Sequence, residues 1–68
     1  MKICDFTKPE LDWLMAECNF TKDETECFLL KASGISTEDT AERMNVSVST
    51  AKRILRRIWS KIDRVKNL

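Results

Sequence analysis

The sequence has no histidine, and it has a single glycine (Gly34) and a single proline (Pro9). Without histidine, a zinc site would need an unusual ligand set. The three cysteines, Cys4, Cys18 and Cys27, are odd in number, form no Cys-x-x-Cys knuckle and sit far apart in the chain. They point to small buried hydrophobes rather than to a disulfide framework or a metal site. There is no Gly-rich phosphate loop and no nucleophile beside a plausible base, so no enzyme, catalytic residue or cofactor is expected. The scarcity of turn residues disfavours an all-β fold, and the abundance of Lys, Glu, Leu, Ala and Arg favours helices. No apolar run approaches the roughly 20 residues of a membrane span. The N-terminus also lacks the basic-then-apolar pattern of a secretory leader, so a cytoplasmic protein without a membrane partner is expected. At 68 residues the expectation is one domain covering 1–68, with a modest core.

What the chain does have is charge, and it is segregated. Residues 1–45 hold five cations against ten acids, a balance of −5, whereas residues 46–68 hold seven cations against Asp63 alone, a balance of +6. A solvated surface usually mixes the signs. One strongly basic end is the electrostatic footprint of a polyanion partner.

Capping signals divide the chain into helices. Thr7-Lys8-Pro9-Glu10 and Thr21-Lys22-Asp23-Glu24 are both capping boxes, and Pro9 falls in a first turn where its missing N–H costs nothing. Phe6 and Leu11 are spaced as a hydrophobic staple, and Leu11, Leu14, Met15 and Cys18 then recur at helical spacing. In the second helix the run Cys27-Phe28-Leu29-Leu30 predicts a wide buried face and a central position, with Gly34 as the stop. Ser36 caps a third helix whose first turn carries Glu38 and Asp39, where the dipole favours anions. Thr40, Ala41 and Met44 form its inner face, and Asn45 can take the left-handed conformation a sharp turn needs. Ser47 caps a fourth helix. The predicted spans are 8–18, 22–33, 37–44 and 48–66, an all-α, four-helix domain. Its last two helices are joined by a turn of about three residues, the helix-turn-helix arrangement, in a tri-helical core plus an N-terminal helix.

At 100° per residue, an inner face centred on Ala51 places Leu55, Ile58, Ile62 and Val65 within about 40° of the core direction. Ser49, Arg53, Arg56, Ser60 and Arg64 fall within about 40° of the opposite side, flanked by Lys52 and Arg57. That outer face is basic and hydroxylic, with no acid before Asp63 to make i,i+4 pairs.

The stretch from Phe20 to Ile62 resembles the helix-turn-helix of LuxR/GerE regulators and of sigma factor region 4. The likeness runs through Thr21, Glu24, Gly34, Ser36, Ala41-Glu42-Arg43-Met44, Val46-Ser47, Thr50-Ala51-Lys52, Ile58 and Lys61-Ile62. Asn45 stands where these families usually carry Gly, and Ala51 where they usually carry Val. The helix from Leu11 to Cys18 and the run Ser47-Val48-Ser49-Thr50 look more like region 4. The resemblance implies sequence-specific binding of double-stranded DNA in transcription regulation, with the first two turns of the fourth helix in the major groove. Lys52, Arg53 and Arg56 match positions that reach base edges or nearby phosphates.

The chemistry of these side chains agrees with that reading. Arg grips guanine bidentately, and Ser49 can donate to or accept from several bases. Ser47 and Thr50, at a helix start with free N–H groups, suit phosphate, although Ser47 serves equally well as a cap. Arg57, Lys61 and Arg64 would add non-specific attraction. The competing reading is a protein-interaction module, because the resemblance to region 4 implies docking on RNA polymerase. Trp13 and Trp59 lie off their helices' inner stripes, where they either cover the rim of the small core, the reading favoured here, or anchor an interface. The stripe Ile58, Ile62, Val65 and Leu68 either packs against the first helix or forms a homodimer seam.

Overall fold

The computed structural model describes residues 3–66. A short 3-10 turn, Ile3–Asp5, leads into α1 (Lys8–Cys18), α2 (Lys22–Ala32), α3 (Thr37–Arg43) and α4 (Val48–Lys66), an all-α architecture without strands among the described residues. The second and third helices each stop one residue earlier than their sequence signals suggested.

The caps form as the sequence dictates. Thr7 and Thr21 each accept from the backbone N–H three residues on, and Glu10 and Glu24 reach back to the N–H of Thr7 (2.9 Å) and Thr21 (3.0 Å). Ser36 Oγ accepts from the Asp39 N–H at 3.2 Å. Each of these bonds satisfies a donor that the first turn otherwise leaves open.

The two sharp stops share one backbone motif. Gly34 turns left-handed (φ 84°), with its N–H on the Lys31 carbonyl and that of Ile35 on Leu30. Asn45 does the same (φ 59°), its N–H donating to Glu42 and that of Val46 to Ala41. These are the paired bonds of a Schellman stop, which return the last carbonyls of the helix to hydrogen bonds. The second stop matters more for function, since it directs the chain from α3 through Met44–Ser47 into α4.

The core gathers Ile3, Phe6, Leu14 and Cys18 from the N-terminal segment, Cys27 and Phe28 from α2, and Ile54, Ile58 and Ile62 from α4. Two corrections to the helical wheels follow. Leu29 is 48% exposed, so the buried face of α2 is narrower than four consecutive apolar residues implied. The element packed most broadly is α4, which meets α1, α2 and α3, so the central place expected of α2 falls to α4. On α4 itself, Ile54 is buried while Leu55 and Val65 are only half-buried, so the inner face is turned toward Ile54. The described part of the terminal stripe enters the core, and α4 contacts α1; Leu68 lies outside the described residues.

An ion pair that periodicity gave no sign of joins α2 to α4. Glu24 is 4% exposed, and its Oε1 accepts from the Lys61 ammonium as well as from the Thr21 N–H. Burial pushes this carboxyl up, but the hydrogen bonds from Lys61 and Thr21 and the charge of Lys61 outweigh it, and its pKa ends below the ordinary value.

Candidate nucleic-acid interface

The backbone turn at Asn45 fixes where α4 begins. Ser47 Oγ accepts from the Thr50 N–H at 3.1 Å, so the cap expected of it is made. The same hydroxyl lies 3.0 Å from Thr50 Oγ1, within hydrogen-bond distance. The first turn of α4 thus starts with a satisfied cap and exposed side chains at Ser47, Val48, Ser49 and Thr50.

Downstream, Lys52, Arg53, Arg56, Arg57 and Arg64 are all exposed. The Glu24–Lys61 ion pair involves none of these five cations. With about 1.5 Å of rise per residue, Ser49 to Arg56 covers about 10 Å of helix, and Arg64 lies a further 12 Å or so along. Exposed acids stand on α1 (Glu10, Asp12 and Glu17) and on α2 and α3 (Asp23, Glu26, Glu38, Asp39 and Glu42), whereas α4 carries Asp63 alone. The charge segregation read from the sequence is therefore a segregation by element, with α4 as the basic one.

One sequence expectation, for Lys61, meets the structure differently, while Trp59 takes the core-rim place expected of it. Lys61, expected to meet phosphate, is half-buried, turned toward α2 and paired with Glu24; its ammonium also lies 6.0 Å from the centre of the Phe20 ring. A single-helix wheel could not show this, because the partner comes from another helix 37 positions away. Trp59 is half-buried against Phe6, with ring centres 6.0 Å apart, and covers the core rim rather than standing free. Trp13 is 46% exposed on α1. Val48, 37% exposed on the first turn of α4, was not singled out in the sequence. The available signal was its place beside Ser49 on the helix end predicted to enter the groove.

Among the described residues no cluster of Cys, Asp and Glu is arranged to hold a metal ion, and no helix is long and apolar enough to cross a membrane. The thiols of Cys18 and Cys27 are pushed up by burial, which makes them poorer nucleophiles and ligands.

Residues 23–65 match a family model described as a homeodomain-like domain, a span that runs from the start of α2 through nearly all of α4. No curated protein and no solved structure matches the chain.

Proposed function

The chain belongs to the homeodomain-like domain family of helix-turn-helix folds, and on that premise we propose that it binds double-stranded DNA sequence-specifically and acts in transcription regulation. The observation that carries this reading is the exposed face of α4, where Lys52, Arg53, Arg56 and Arg57 all stand open to solvent. A helix about 10–12 Å across fits the B-DNA major groove, about 12 Å wide. With α4 entering by its N-terminus, Ser49, Lys52, Arg53 and Arg56 reach base edges. Ser47, Thr50 and Arg57 face phosphate, the first two as exposed hydroxyls at the helix start and Arg57 through its guanidinium. Lys61 is left out of this interface because its ammonium serves Glu24.

The whole of 1–68 acts as one such domain in this reading. Within the family we favour a sigma region 4-like character, because α1 precedes the trio and Ser47-Val48-Ser49-Thr50 opens the recognition helix. The alternative, docking on RNA polymerase or another regulator, draws on Trp13, a large apolar side chain 46% exposed on the acidic half. A homodimer seam has less support, since Ile58 and Ile62 are already used in the core.

The test is a salt titration of binding to random-sequence duplex. On random sequence Lys52, Arg53 and Arg56 have no preferred base to grip and meet phosphate along with Arg57. Three or four such cation–phosphate contacts predict that log K falls with log salt at a slope of about −3 to −4. No binding to duplex at low salt, or a flat salt dependence, would turn the case toward the protein-docking alternative.

A further inference from the structure

Three large apolar side chains are exposed among the described residues: Trp13, Leu29 and Val48. Trp13 and Leu29 stand on α1 and α2, in the acid-rich half of the chain, and nothing in the structure identifies what would cover them. Val48 is different in place and in surroundings. It is the first residue of α4, is 37% exposed and is flanked by the exposed hydroxyls of Ser47 and Ser49. It does not belong to the core cluster or to the side chains packed on it.

Helical geometry gives Val48 defined companions. Val48, Lys52 and Arg56 are spaced i, i+4 and i+8, so they form one ridge along α4, with Val48 at the end nearest the helix start. An exposed valine contributes little to the fold at this position and is a weaker helix former than Ala. In the major groove, however, one base feature is apolar, the C5-methyl of thymine. A branched aliphatic side chain at the tip of a groove-entering helix is complementary to that methyl, whereas its serine neighbours are not.

We infer that Val48 is a specificity-determining residue that packs on the 5-methyl group of a thymine, one helical turn ahead of the base pair met by Lys52. This rests on the proposed DNA-binding reading and adds a position to it. Four residues of helix advance about 6 Å, and base pairs are stacked about 3.4 Å apart, so the thymine falls within about two base pairs of the Lys52 contact.

The experiment replaces each thymine of the preferred duplex, one at a time, by deoxyuridine, which removes the methyl and leaves the hydrogen-bonding pattern intact. Affinities are measured for wild type and Val48→Ala at one fixed salt concentration, with melting curves to verify that both proteins are folded. One position should lose about fourfold in affinity for wild type and show no loss for Val48→Ala. If deoxyuridine is tolerated at every position, or if Val48→Ala keeps the same sensitivity, Val48 does not read a methyl and the inference is wrong, while the DNA-binding reading stands. Failure of wild type to bind any duplex overturns the DNA-binding reading itself and this inference with it.

Discussion

The Glu24–Lys61 pair makes an asymmetric prediction, because its two ends differ in access to water. The Lys61 side chain is 31% exposed and that of Glu24 only 5%. In Glu24→Gln, the amide can still close the capping box, since Gln serves at that position as Glu does. Lys61 can then swing its ammonium into solvent, so the cost is one charge-assisted hydrogen bond, about 1–2 kcal/mol. In Lys61→Met the carboxylate has no such escape. It stays buried with the Thr21 N–H as its remaining backbone donor. Its release is to take up a proton, which at about pH 7 costs at most about 3.4 kcal/mol for a carboxyl of ordinary value 4.5. Lys61→Met should therefore cost about 2–3 kcal/mol near neutrality, more than Glu24→Gln, and less at about pH 5, where the carboxyl takes up its proton more readily.

In the wild type, the folded pKa of Glu24 is depressed. Its contribution is full above the unfolded value of about 4.5 and is lost as the pH falls through the lower folded value. Urea unfolding followed by circular dichroism at the two pH values measures all of this. A Glu24→Gln cost larger than that of Lys61→Met, or a Lys61→Met cost independent of pH, would refute the reasoning. The same variant bears on function: Lys61→Met should leave the salt slope of DNA binding unchanged, whereas Arg57→Ala should lower it by about one phosphate contact.

Two further predictions concern the interior. Thr40 is fully buried and its Oγ1 has no hydrogen-bond partner, so Thr40→Val should stabilise the fold by about 1 kcal/mol; measurable destabilisation would mean that the hydroxyl has a partner after all. Cys27 is fully buried whereas Cys4 is exposed. Cys27→Ala should cost about 1 kcal/mol or more, and a thiol alkylator should label Cys4 in the native protein well before Cys18 and Cys27. A melting temperature that rises stoichiometrically with zinc would contradict this packing role for the thiols.

The helices were legible in the sequence because their ends are written in local chemistry. Thr7, Thr21, Ser36 and Ser47 bond within three residues of themselves, and Gly34 and Asn45 turn left-handed where the helical pattern stops. Interactions within so short a span need no knowledge of the rest of the fold. What depends on a neighbour was not legible. The edge of the α4 core stripe is set by where α1, α2 and α3 lie, and periodicity fixes it only to about one residue, or 100°. Hence Ile54 proved more deeply buried than Leu55. The Glu24–Lys61 pair joins residues 37 positions apart, and a capping Glu gives no sign of its further partner. Leu29 shows the limit of reading burial from hydrophobicity alone, since isolated apolar side chains stand at protein surfaces routinely. The exposed basic stripe was legible because a helix face rich in cations and without an acid before Asp63 is a property of that helix by itself.

The claim that the first turns of α4 read DNA is tested most directly by selecting binding sites from a random duplex pool with wild type, Arg53→Ala, Arg56→Ala and Arg64→Ala at one fixed salt concentration. Arg53 lies in the second turn and Arg56 in the third, at the groove-entering end, and Arg64 lies two to three turns further along the same exposed face. Arg53→Ala and Arg56→Ala should each blur the preference at one or two base positions and cost about 1–3 kcal/mol on the preferred site. Arg64→Ala should weaken all sequences alike or change nothing. A changed consensus for Arg64→Ala, with that of Arg53→Ala and Arg56→Ala intact, would contradict the account, because the helix would then meet DNA by its other end.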